Sequence, residues 1–223
     1  MEIQIRNRPS FANLLVRLSR GDRIVAESNA MASMSSSIAL ATRFNGGFWR
    51  ALLRRLFGGE SLFINEFSLP PDAAGDKFAE LVLTQPFPGD IECLPLRGTS
   101  LYLQPGAFLA CDPGVDLGLG YAGLASFIAR EGLFRLQVHG EGRVWFGAYG
   151  GIMTKDIDGE YIVDSGHLVA YEPTIALRLG MAGGIFSSIF SGEGLVLRLR
   201  GKGRIYLQSR SLSGLSQWVN NHL

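Results

Sequence analysis

The sequence predicts an all-β chain, a single domain built from three diverged copies of one short module. Three observations carry this. Glycine is in excess, at 29 of 223 residues, and recurs between short apolar runs as tight turns require. One strand–turn–strand segment appears three times. Two further glycine-rich landmarks follow it in the same order, with spacers of different length, which chance does not produce. The modules run over 20–97, 98–158 and 159–214, followed by a C-terminal tail over 215–223.

Each module opens on a short apolar strand, at Arg23–Ala26, Ser100–Leu103 and Glu160–Val163. A turn and a second apolar run follow, over Glu27–Met34, Gln104–Cys111 and Asp164–Tyr171. Asn29, Gly106 and Gly166 stand where a positive φ is easiest, so each segment reads as a hairpin. A connector comes next, at Phe48–Phe57, Leu124–Ile128 and Ile185–Phe190, and its apolar spacing predicts a short helix with one buried face. The second landmark is Gly59-Glu60-Ser61-Leu62-Phe63, repeated as Arg130-Glu131-Gly132-Leu133-Phe134 and Gly192-Glu193-Gly194-Leu195-Val196. Its glutamates read as carboxylates that accept backbone N–H bonds at a recurring turn. The third landmark pairs Gly140-Glu141-Gly142-Arg143-Val144-Trp145-Phe146 with Gly201-Lys202-Gly203-Arg204-Ile205-Tyr206-Leu207, and Gly89–Leu94 is a weaker counterpart. Gly-x-Gly between two apolar runs carries a hairpin signature.

Composition excludes several function classes. Lys plus Arg is 21 against Asp plus Glu at 20, a net charge of +1. That balance argues against a protein that holds nucleic acid through its phosphates. Cys93 and Cys111 lie outside any CxxC spacing and read as free thiols in a reducing compartment. The N-terminal stretch carries arginines through its apolar residues, which fits neither a secretory signal nor a membrane span. The expected location is the cytoplasm, with a place on the membrane periphery as the alternative. Three histidines without HxH, HExxH or a cysteine cluster predict no metal, and no cofactor is implied.

The first connector is the leading candidate for an interaction surface. Phe48, Trp49, Leu53 and Phe57 fall on one half of a helical wheel and Arg50, Arg54 and Arg55 on the other. Such a helix could meet anionic lipid, the β core or a neighbouring subunit. The subunit contact is favoured, because ten residues make a marginal lipid anchor and the third connector is uncharged. A weaker alternative site is a turn that brings Asp164, Ser165 and His167 together, residue types used by hydrolases. A structural turn explains it with less, since the other copies hold Asn29-Ala30 and Gly106-Ala107 there. Arg143 and Arg204, interleaved with Trp145 and Tyr206, could form a stacking face for single-stranded nucleic acid.

An ordered set of these segments is similar to the mitochondrial biogenesis family named for altered inheritance of mitochondria. The set comprises Gly58–Phe63, Pro88–Ile91, Gln104–Ala110, Gly132–Phe134, Val163–Ala170 and Gly192–Val196. The resemblance implies modules like the tryptophan RNA-binding attenuation protein, each a short double-stranded β-helix, with short helical connectors between them. It also implies a closed trimeric ring of nine modules. In eukaryotic relatives the implied role is organising the mitochondrial inner membrane. This chain shows no transit peptide, which points to a prokaryotic member. The expected function is therefore a non-enzymatic oligomeric scaffold or interaction protein, a homotrimer whose further partner is a protein or a membrane surface. The rival readings are an RNA- or small-ligand-binding ring and a hydrolase around His167.

Overall fold

The structure is a computed structural model that describes residues 1–43, 64–73, 77–104, 106–121, 134–181, 195–220 and 222. They form an all-β chain whose strands fall into three sets. The first set holds β1 (Glu2–Arg6), β2 (Asn13–Ser19), β3 (Arg23–Glu27), β4 (Met31–Met34), β5 (Ala39–Arg43), β6 (Ile64–Ser68) and β7 (Phe78–Thr84). The second holds β8 (Gly89–Leu103), β9 (Phe108–Cys111), β10 (Val115–Tyr121) and β11 (Phe134–Tyr149). The third holds β12 (Ile152–Asp164), a 3₁₀ turn at Ser165–His167, β13 (Leu168–Tyr171), β14 (Ile175–Met181) and β15 (Leu195–Gln208). A helix, α1 (Leu212–Asn220), ends the chain.

The same antiparallel pairings recur in every set. β5 pairs β6 as β10 pairs β11 and β14 pairs β15. β4 pairs β7 as β9 pairs β11 and β13 pairs β15, and each ladder carries a bulge at the same place. Met31↔Leu83, Ser33↔Val82 and Met34↔Leu81 are thus repeated by Phe108↔Phe146, Ala110↔Trp145 and Cys111↔Val144. Long strands β8, β11, β12 and β15 each do the work of two strands in the first set. There β2 and β3 break at Gly21, which takes a φ of 85°.

Two local expectations are corrected. The strand–turn–strand segments are not hairpins. β8 and β9 both pair β11, on its opposite sides, as β12 and β13 flank β15; β3 and β4 lie in different sheets. The turns carry the chain over an edge instead of pairing neighbours. Asn29 and Gly106 do adopt positive φ, at 71° and 79°, whereas Gly166 sits in the 3₁₀ turn without it. Nor is Gly-x-Gly a turn: β11 and β15 run straight through it. Glycine is needed because a Cβ on Gly140 would stand 2.4 Å from the Gly114 carbonyl oxygen, and one on Gly201 2.3 Å from that of Thr174. The strand passes so close to a corner that no side chain fits.

The core follows the same plan and crosses from set to set. Ile24, Phe67 and Leu81 of the first set pack in one buried cluster with Leu109 and Trp145 of the second. Val25 packs with Phe108 and Val144, and Val169 and Tyr206 of the third set join the same cluster. Neighbouring sets are thus fused by core packing, and the residues that fuse them include Trp145, Tyr171 and Phe146, among the largest fully buried side chains. Residues 215–220, part of the expected C-terminal tail, belong to α1.

Candidate functional site

Phe48, Trp49, Arg50, Leu53, Arg54, Arg55 and Phe57 lie outside the described residues, as do the other two connectors and Glu60, Glu131 and Glu193. The remaining expected site residues are placed. Asp164 Oδ1 accepts from the Gly166 amide at 2.8 Å and so caps the 3₁₀ turn. The Nδ1 of His167 is 2.7 Å from the Gln208 carbonyl oxygen. The carboxylate and the imidazole thus each face backbone, an arrangement of a fastened turn and not of a base polarising a nucleophile.

Arg143 and Arg204 are ion-paired. The Arg143 guanidinium donates to both carboxylate oxygens of Asp112, at 2.9 and 3.1 Å, and lies over the Trp145 ring at 4.9 Å. Arg204 donates to Asp156 at 2.8 and 3.2 Å. The pairing raises both guanidinium pKa values, first through the hydrogen bonds to those carboxylates. Trp145 and Tyr206, the rings a base would stack on, are buried. Stacking recognition needs an open ring face. Asp90, buried in the core, is held by Arg8 at 2.7 Å and accepts from the Ile91 amide. Among the described residues no group of three potential ligands could hold a metal ion. No described helix is long and apolar enough to cross a membrane.

Among the open edges that the strand order leaves, those of β4 and β12 are related by the repeat. Neighbouring sets are joined by a short ladder, which we term a seam. At the first seam Val25 pairs Cys111 and Ala26 pairs Ala110. At the second, Tyr102 pairs Tyr171 and Leu103 pairs Ala170. These are the same positions, because Val25 and Tyr102 precede matching turns and Cys111 and Tyr171 follow them. The third set repeats the donor half of the seam with Ile162 and Val163 on β12. The first set repeats the acceptor half with Ser33 and Met34 on β4. Among the described residues β12 pairs only β15 and β4 only β7, so both outer edges are open.

Exposure follows the same division. Val25 is 9% exposed, and Cys111 and Tyr171 are 0% exposed, whereas Ile162 is 50% and Met34 36% exposed. Among the described side chains, the large exposed apolar residues are Phe11, Met31, Met34, Leu40 and Phe78 on the first set, and Met153, Ile162, Leu212, Leu215 and Trp218 on β12 and α1. None lies on β8 to β11. Among the described side chains, the set with a neighbour on each side shows water no large apolar one, and the two end sets do. Sequence reading missed this surface. Its signal was available in the repeat, which aligns Met34 with Cys111 and Tyr171, and Ile162 with Val25 and Tyr102.

The model of the family described as mitochondrial biogenesis AIM24 matches residues 3–210. This chain belongs to that family. An uncharacterised protein from Streptococcus pyogenes serotype M6 is 28% identical over 232 residues, covering 100% of this chain and 91% of its own. A crystal structure of a Streptococcus pyogenes protein superposes with a TM-score of 0.79 at 26% identity, covering 100% of this chain and 99% of the other. The AIM24 fold described above therefore extends over the full length of a solved bacterial structure.

Proposed function

We propose that this protein is a non-enzymatic scaffold whose chains join head to tail through the same seam that joins its own strand sets. Each set is one module of the attenuation-protein type, a short double-stranded β-helix. Ile162 and Val163 of one copy pair Met34 and Ser33 of the next. Such a contact is heterologous, so repeated application closes a ring or continues as a filament. Three chains, contributing nine modules, close the ring.

The observation that carries this reading is the seam made twice within the chain and left half-made at each end. An open strand edge beside exposed Ile162, Met34 and Met31 is a template for pairing and is costly to leave in water. Burying a side chain of that size contributes roughly 1.5–3 kcal/mol. Ladder hydrogen bonds between edges add about 0.5–1.5 kcal/mol each. The further partner of such a ring is a protein or a membrane surface.

Light scattering across a dilution series tests it. The expected mass is three times the 24.2 kDa of one chain, insensitive to salt because the seam is apolar. Ile162→Asp, at an exposed position in the single chain, should shift the population to single chains without changing the circular dichroism of the β fold. A parent protein that stays at one chain mass at all concentrations would sink the reading.

A further inference from the structure

Helix α1 carries no charged side chain along Leu212–Asn220, and none of its residues is buried. Nine residues are too few to hold a helix in water by propensity alone. Leu212, Leu215 and Val219 recur at helical spacing, with Trp218 beside them, and Leu212, Leu215 and Trp218 are 48%, 44% and 61% exposed. An apolar stripe of this kind belongs against another surface.

The base of α1 is fastened to the seam edge. A Cβ on Gly166 would stand 2.9 Å from Ser211 Cβ and 3.0 Å from Ser213 Oγ, so the start of the helix packs directly on the 3₁₀ turn. Gln208 Nε2 donates to the Gly166 carbonyl at 2.8 Å, and the Ser211 hydroxyl caps the helix by accepting from the Gly214 amide at 3.0 Å. That turn matches Gln104–Ala107 of the second set, where the Gln104 amide donates across the seam to the Val169 carbonyl at 2.9 Å. Asp164 holds the Gln104 position. Its counterpart acceptor is Ala32, in the β4 strand of another chain. The base of α1 therefore stands beside the point where a second copy would arrive, and that copy's first set offers exposed Met31 next to Ala32.

We infer that α1 is a clasp that docks on the first strand set of a second copy of this chain, flanking the β12–β4 seam; the inference rests on that seam. The clasp adds an aromatic anchor to a short ladder, the kind of residue that dominates interface energetics. An uncharged stripe suits an apolar protein face better than an anionic lipid surface, which attracts basic helices.

Two readouts on the full-length protein test the clasp. The first is acrylamide quenching of Trp218, taken as the difference between the parent and Trp218→Phe. In the assembled protein the indole should be shielded, and on dilution to single chains, where it is 61% exposed and stacks on His222, it should become markedly more quenchable. The second is the dissociation constant of the assembly by sedimentation, which Leu215→Asp with Trp218→Asp should raise about tenfold or more. Both positions are exposed in the single chain, so its unfolding midpoint should not move. A Trp218 fully quenchable in the assembly, an unchanged dissociation constant, or shielding seen only on anionic vesicles would each overturn the clasp. A disulfide between Met34→Cys and Ile162→Cys of neighbouring chains separates the two ideas. If it forms while α1 stays exposed, the clasp alone is wrong. If it never forms, the seam beneath it has failed.

Discussion

Gly140 and Gly201 let β11 and β15 pass against the corners before β10 and β14, at φ of 122° and 146°. Alanine at either place meets a backbone carbonyl that has nowhere to move. Gly201→Ala should therefore cost about 2 kcal/mol or more in urea unfolding. Gly159→Ala, at φ 112° with nothing within 4 Å of the added carbon, should cost only about 1 kcal/mol, from φ strain. Equal losses at the two sites would remove the close approach as the reason for the motif. The sequence showed that glycine recurs here but read it as a turn, because a turn and a close approach between distant strands impose the same residue. Cys111 offers a second test. Burial pushes its thiol pKa up to about 12, so the native fold keeps a proton that the unfolded chain loses near pH 8.5. Its contribution is complete below that pH and falls by about 1.4 kcal/mol per pH unit above it. Urea unfolding from pH 8.5 to 10.5 should thus be flatter for Cys111→Ala than for the parent. In the native state near neutral pH, alkylating reagents should leave Cys111 unmodified.

Strand identity was largely legible and strand partnership was not. Alternating and continuous apolar runs mark β7, β9 and β13 in the sequence, and turn residues mark the breaks between them. β3 pairs β6 and also β9, the latter more than eighty residues away, and nothing local in Arg23–Glu27 specifies either. Reading adjacent strands as hairpins was the natural error, since sequential strands often pair. Helix α1 was missed because Gly214 and two serines dilute its pattern, although Ser211 before Leu212, Leu215 and Val219 is a legible cap and stripe. The interior and open halves of the seam should respond differently to truncation. Tyr171→Ala, in the fully buried interior seam, should destabilise the single chain by about 3–5 kcal/mol. Met34→Ala, at the open half, should leave single-chain unfolding within about 1 kcal/mol of the parent and weaken assembly instead. Similar losses from the two would mean that position alone, and not the presence of a neighbour, sets the difference.

At the scale of the whole molecule, the described strands fall into three sets with matching antiparallel pairings, and among the described residues the outer edges of β12 and β4 carry no partner strand. The threefold repeat was visible in the sequence through Gln104–Cys111 and Asp164–Tyr171. That the two interior seams share one register became visible only when they could be laid over each other. The Nδ1 of His167 faces a backbone carbonyl, and Arg143 and Arg204 are held by Asp112 and Asp156. The central claim is that β12 of one copy pairs with β4 of the next in the register of the interior seams. Its most direct test mixes a chain carrying Ile162→Cys with a chain carrying Met34→Cys under mild oxidation, followed by a non-reducing gel. In an antiparallel ladder these two positions stand directly opposite, within reach of a disulfide. A covalent pair is expected from the mixture, absent from either chain alone and much weaker when Met31→Cys replaces Met34→Cys. No cross-link in the mixture, or one of equal yield from the off-register chain, would contradict it.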